Sequence, residues 1–179
     1  MDEERLIDPP RIIIRRTTDT DVPQLPAVER SAARSFAAIP ELSWIVDDDV
    51  LDEARHRHYA EAGWSWVADI AGAPVGFICA EPVEHEVHVW ELAVDEPHQQ
   101  QGIGTRLMAR VEAAARDAGA RALTLTTFRD VAWNGPFYAS LGYEAIDPEA
   151  CSPRLSRLLE LEVEAGQPAA RRCAMRLRL

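Results

Sequence analysis

The run Glu91-Leu-Ala-Val-Asp-Glu-Pro-His-Gln-Gln-Gln-Gly-Ile-Gly-Thr-Arg-Leu-Met constrains the fold more than any other part of the chain. Residues up to Val94 alternate as a strand does, and from Ile103 onward apolar residues recur at helical spacing. Between them, Gly102 and Gly104 bring backbone N–H groups close to a bound anion with no Cβ in the way. The first turn of the following helix adds unpaired donors and the positive end of its dipole. Such a strand–loop–helix unit is a phosphate or pyrophosphate cradle that needs no net positive charge. That matters here, because the 179-residue chain carries a net charge of −11.

Three kinds of cradle can be told apart by residue spacing. A P-loop requires Gly-x-x-x-x-Gly-Lys-Ser/Thr, and neither the lysine nor the interval is present. A dinucleotide fingerprint requires a third small residue, where Leu107 stands, and an acidic residue about 20 positions on, where the chain has residues 123–127, Leu-Thr-Leu-Thr-Thr. The coenzyme A arrangement, Gln/Arg-x-x-Gly-x-Gly/Ala, is met by Gln99, Gly102 and Gly104. The segment thus resembles the signature of the GNAT N-acetyltransferase superfamily. A second segment strengthens the resemblance: Asn134-Gly-Pro-Phe-Tyr-Ala-Ser-Leu-Gly-Tyr is similar to the family's Phe-Tyr-x-x-x-Gly-Phe/Tyr, with Phe137, Tyr138, Gly142 and Tyr143 in register. One departure stands out. Where many members carry an asparagine seven residues before this tyrosine, the chain has Val131, and Asn134 is out of register.

The remaining pattern predicts a single α/β (α+β) domain over residues 11–179, with a mixed central sheet of about seven strands flanked by helices. Residues 1–10 form an N-terminal extension. Strands are expected at 11–17, 64–70, 75–80, 86–94, 122–127, 143–146 and 172–179. Helices are expected after residues 19–21, at 47–62, behind the glycine loop with Ile103, Leu107, Val111, Ala114 and Ala118 on one face, at 133–141 and at 153–164. Cys79, Cys151 and Cys173 lack metal-ligand spacing, and no stretch reads as a signal peptide or a membrane span. We therefore expect a reduced, cytoplasmic protein that binds no metal, nucleic acid or membrane. The charge suits a cationic substrate, although solubility alone also explains it.

The resemblance implies acetyl-CoA as acyl donor and direct transfer to an amine in a ternary complex. A small-molecule primary amine is the expected acceptor, with a peptide or protein N-terminus or a non-catalytic acyl-CoA sensor as alternatives. A homodimer is possible by family habit. The donor is expected at Leu92, Ala93, Val94, Gln99, Gln100, Gln101, Gly102, Ile103, Gly104, Thr105, Asn134 and Phe137. The resemblance further implies that the strand ending at Val94 splays from its neighbour and frees backbone groups near Leu92 and Val94. It gives Tyr138 the role of general acid to the departing thiolate, with packing against the donor as the plainer alternative. Alternation puts His88, Trp90, Leu92 and Val94 on one strand face. His88 holds the position of a family glutamate base and titrates near neutrality when unperturbed, so it is the expected base. Glu91, on the opposite face unless a bulge re-aims it, and a water relay stay open. His56 and His58, on a charged helix, are expected at the surface, and Cys79 and Cys173 as small buried hydrophobes.

Overall fold

A computed structural model describes residues 11–179, so the expected extension over 1–10 lies outside the described residues. Seven strands form one mixed sheet in the order β1-β2-β3-β4-β5-β7-β6. They are β1 (Ile12–Arg16), β2 (Ser65–Ile70), β3 (Ala73–Val83), β4 (Glu86–Val94), β5 (Ala122–Phe128), β6 (Glu144–Ala145) and β7 (Arg172–Arg178). The α-helices are α1 (Leu25–Ala33), α2 (Glu53–Glu61), α3 (Ile103–Asp117), α4 (Gly135–Ser140) and α5 (Pro153–Glu164). β1 pairs antiparallel with β2, β5 and β6 each pair antiparallel with β7, and β4 lies parallel to β5. The α3 crossover makes that parallel pair possible, since parallel neighbours cannot be joined by a hairpin.

The chain forms two compact units that share β3 and β4. One holds residues 11–77 with Leu92–Leu107, and the other Ile78–Glu91 with Met108–Leu179. In the first, Leu25, Leu42, Trp66, Phe77, Ile103 and Leu107 are fully buried. Arg15 on β1 pins this unit: its guanidinium donates to Asp21 at 2.7 and 2.9 Å and to Asp69 on β2 at 2.6 and 2.9 Å. Asp69 in turn accepts from Gly72 N–H across the tight β2–β3 turn, where Ala71 and Gly72 both have positive φ. In the second unit, Leu123 and Leu125 of β5, Val111 of α3 and Leu155 of α5 are buried.

Several expected boundaries shift for local reasons. The helix expected over 47–62 begins only at Glu53, because the Asp52 side chain accepts from Arg55 N–H at 2.8 Å and caps it there. Residues 34–47 form 3-10 turns, Arg34–Ala38 and Pro40–Asp47, broken where Ile39 is extended ahead of Pro40. β3 runs farther than 75–80 because Pro74 and Pro82 sit near its ends, where a missing N–H is tolerated. The buried face of α3 ends on Ala115, while Ala118 lies exposed past the helix.

His56 corrects a second expectation. It is fully buried, whereas His58 is exposed, since α2 turns only His56 and Tyr59 inward. The imidazole stacks edge-on against Phe77, centroids 4.8 Å apart, and neither nitrogen has a hydrogen-bond partner among the described residues. Burial lowers its pKa to about 4. Replacing an unpaired buried polar group removes a desolvation cost of about 1–3 kcal/mol. His56→Leu is therefore expected to raise the urea midpoint. The gain should be larger at pH 5 than at pH 7, because His56 protonates in the unfolded chain below about 6.5 but not in the folded one.

Asp21 behaves in the opposite sense. Burial alone would raise its carboxyl, but hydrogen bonds from Arg15 and Thr18 outweigh that and hold it below its usual value. Its stabilisation is full above the ordinary carboxylate range and disappears as pH falls through the depressed native value. Asp21→Asn should cost about 3 kcal/mol in urea unfolding at pH 7. The difference from wild type should close in acid, and a constant difference down to pH 3 would refute the ion-pair account.

Candidate active site

The first unit carries the glycine loop. After β4, a 3-10 turn (Glu96–His98) leads to Gln100 and Gly102, both at positive φ, and then to α3. An alanine Cβ at Gly102 would meet nothing within 4 Å, so the glycine is needed for its φ of 76° and leaves the space above the loop open. The first bond entering α3 runs from Arg106 N–H to Gly102 C=O at 3.1 Å, so the N–H groups of Ile103, Gly104 and Thr105 have no intrahelical acceptor. The Ile103 side chain is core, which leaves only its N–H for a ligand. Gly76 on β3 makes room for this arrangement, because a Cβ there would lie 3.1 Å from Ala93 C=O and 3.3 Å from Ile103.

Polar braces hold the loop. Asp95 N–H donates to Val75 C=O at 2.8 Å, and the Asp95 carboxylate accepts from Ser31 Oγ. Ser31 Oγ also accepts from Glu96 N–H at 3.1 Å. The Gln99 amide oxygen accepts from Ser35 Oγ at 2.9 Å, and its NH2 donates to Val94 C=O at 3.0 Å. Gln99 thus supports the loop from beneath, and the Val94 carbonyl that was expected to be free is occupied by it. Gln101 donates to Pro97 C=O, whereas Gln100 and Thr105 are exposed. Leu92 and Val94 are half-buried at the end of β4, and Ala93 is buried. Ser31 and Ser35 were not singled out in the sequence. Their spacing of four residues on one helical face was visible, but their partners lie 64 and 65 positions away.

The second unit holds His88, Tyr138, Asn134 and Phe137. β4 and β5 pair only at Glu86 with Ala122, Val87 with Leu123 and His88 with Thr124. Beyond that point β5 keeps its full ladder with β7, and β4 runs on without β5 past Val89, Trp90 and Glu91. The two strands therefore fork at His88 and Thr124. This is the parting expected for the strand, and it begins six residues before Val94.

His88 stands at the fork, 1% exposed, with its ring edge-on to Trp90 at 4.6 Å. Its Nδ1 lies 3.0 Å from Thr124 Oγ1, which also accepts from Arg154 on α5 at 3.2 Å. Burial, and then the Arg154 charge, lower the His88 pKa to about 3. A buried imidazole beside a guanidinium holds a proton poorly, which weighs against the expected base near neutrality. Glu86 joins Arg154 at 3.6 Å and Arg176 at 3.0 Å. Thr124 and Arg154 were not read as site residues, although the alternation of Thr124 and Thr126 along β5 marks a polar face.

Tyr138 is half-buried on α4, edge-on to Phe137 at 5.1 Å and to Tyr143 at 5.8 Å. Burial, and then the negative charge of Glu91, push its phenol well above the usual value. It is therefore protonated throughout the physiological range, as a general acid must be. Asn134 Oδ1 accepts from Thr127 Oγ1 at 3.0 Å, so its side-chain carbonyl is committed to β5. Gly135 must lack a side chain, since a Cβ would approach Arg129 C=O to 2.5 Å. Val131, where the family asparagine is usual, is buried. No group of three or more His, Cys, Asp or Glu among the described residues could hold a metal.

Comparison with known proteins agrees with this geometry. The chain's fold is similar to PaiA N-acetyltransferase from Thermoplasma acidophilum in complex with coenzyme A, with a TM-score of 0.71 and 16% identity over 94% of this chain and 99% of that one. It is also similar to a ribosomal-protein-alanine N-acetyltransferase from Brucella melitensis, with a TM-score of 0.66 and 21% identity over 93% of this chain and 99% of that one. A third likeness is to N-acetylglutamate synthase from Neisseria gonorrhoeae complexed with coenzyme A and N-acetyl-glutamate, with a TM-score of 0.68 and 16% identity over 94% of this chain but 35% of that longer one. The model of the acetyltransferase (GNAT) family matches residues 28–143, which takes in the glycine loop, the fork and the Phe137–Tyr138 segment, and the chain belongs to that family.

Proposed function

We propose that the chain transfers an acetyl group from acetyl-CoA to the primary amine of a small molecule by direct attack in a ternary complex. The observation that carries this reading is the loop itself. Three unpaired N–H groups at the start of α3, over a glycine with open space above it, form an anion cradle in a chain of charge −11. Acetyl-CoA, when bound, supplies the activated acyl group as a thioester. The N–H groups of Ile103, Gly104 and Thr105 receive its pyrophosphate, with Gln100, Gln101 and Gly102 shaping the loop. Backbone groups of Leu92 and Ala93 line the end of β4 for the pantetheine arm. Asn134 and Phe137, in the second unit, are assigned to the donor by their match to the family's motif.

Tyr138 gives its phenolic proton to the departing thiolate. Burial and the field of Glu91 keep that proton in place until the sulfur becomes basic. Glu91, half-buried on β4 and near enough to raise the Tyr138 phenol, receives the proton lost by the amine directly or through water. This exchanges the expected base for a carboxylate that lies past the fork. Two features support a small acceptor over a peptide. α5 is inserted between β6 and β7, and Arg154 and Glu162 tie it to Thr124 and Thr126 across the face of β5. We read that helix as narrowing the room for an extended peptide beside β5. The acidic chain also favours a cationic amine over an anionic acceptor surface.

Thermal-shift assays with acetyl-CoA, free CoA, NAD and ATP test the cradle. Both CoA species should raise the melting temperature, and stabilisation by NAD or ATP alone would remove the reading. Tyr138→Phe should lower turnover by about a hundredfold or more while leaving the acetyl-CoA dissociation constant within about threefold. Thiol release and calorimetric titration measure the two effects. Because the phenol is raised, the wild-type rate should show no loss assignable to Tyr138 up to about pH 10, its unperturbed value.

A further inference from the structure

We propose that Thr124 and Arg154 fix the tautomer of His88, so that the ring presents an Nε2–H donor where β4 and β5 part and holds an oxygen of a reactant instead of taking up a proton. Donor and acceptor roles along the chain of contacts leave one consistent assignment. A guanidinium only donates, so Arg154 Nη2 gives a hydrogen to Thr124 Oγ1 at 3.2 Å. Thr124 is fully buried, and its hydroxyl oxygen has two partners among the described residues, Arg154 and His88 Nδ1 at 3.0 Å. The threonine hydrogen therefore has His88 Nδ1 as its acceptor. If Nδ1 carried a hydrogen instead, the threonine hydroxyl would be left buried with its own hydrogen unpaired, at a cost of about 1–3 kcal/mol. With Nδ1 accepting, the neutral ring carries its hydrogen on Nε2.

Glu86 steadies the first link by bridging Arg154 and Arg176. The ring itself is held edge-on by Trp90, whose indole N–H donates to Glu81 at 3.1 Å. Nε2 has no protein partner among the described residues, yet it is not one of the sealed, unpaired polar atoms, so the small residual exposure of His88 includes this nitrogen. A donor with a small residual exposure at a strand fork, backed by a half-buried cation, favours a partly negative oxygen. Two reactants of the proposed transfer offer one, the thioester carbonyl and a carbonyl or carboxylate on the acceptor. Arg154 and Thr124 are positioning residues that act through the imidazole. The identity of the oxygen rests on the acetyltransferase reading, but the tautomer does not.

Histidine 15N–1H correlation spectra of the unliganded wild-type protein test the tautomer without any activity. A hydrogen-bearing shift on Nε2 and an unprotonated shift on Nδ1 are expected between pH 6 and 8. The reverse pattern, or a ring protonated in that range, would overturn the proposal. In Thr124→Val, His88 should show mixed, averaged shifts, and an unchanged pattern would show that Thr124 does not set the tautomer. The donor role is read from two substitutions, because a glutamine amide can present N–H near the position of Nε2 but cannot serve as a base. His88→Ala should lose about tenfold or more in rate, the loss of one hydrogen bond to a charged or developing oxygen. His88→Gln should stay within about threefold of wild type. A fall in kcat for the alanine variant assigns the thioester oxygen, and a rise in KM for the amine assigns an oxygen of the acceptor. A glutamine variant as impaired as the alanine variant, with the same change in pH profile, would return His88 to the role of base.

Discussion

The β4–β5 ladder stops at His88 and Thr124, and the chemistry of the chain depends on that stop. A parallel pair inside a sheet normally satisfies its backbone groups along its whole length, since unpaired buried peptides are costly. Here β5 stays fully paired with β7 while β4 continues towards Val94 without β5. The half-buried Glu91, whose charge reaches Tyr138, lies past the stop, and His88 stands on its last rung.

As an anion site, the glycine loop we propose answers a different constraint, that of binding an anion with a strongly negative protein. Lysines and arginines could supply charge, but the backbone supplies fixed dipoles without changing the balance of the chain. The braces from Ser31, Ser35 and Asp95 then hold the loop in its shape before any ligand arrives. Gln99 belongs with these braces, since both ends of its amide are taken up inside the protein. Pre-organisation of this kind lowers the ordering cost of binding.

Much of the fold was legible because its signals are local. The 2.0 and 3.6 periods located all seven strands and the five α-helices, and the glycines at 102 and 104 marked the loop. Less was legible wherever a partner far along the chain decides a residue's state. His56 reads as a surface histidine on a charged helix, and only the approach of Phe77 shows that it is buried. His88 reads as a base, and only α5, more than sixty residues later, brings Arg154 against its partner Thr124. Gln99 fits a ligand motif, while its neighbours reveal a brace. The helical face of Ser31 and Ser35 and the alternation of Thr124 and Thr126 were present in the sequence, but nothing local said what they would meet.

The central claim is acyl transfer at this pair of sites, and product analysis tests it most directly. The protein would be incubated with acetyl-CoA and a panel of polyamines, aryl-alkylamines, amino acids and peptide N-termini, with CoA and acetylated product measured together. Equal amounts of free CoA and N-acetylated amine are expected for at least one small primary amine. Tight binding of acetyl-CoA with no thiol release above the no-protein background for any acceptor would contradict the claim.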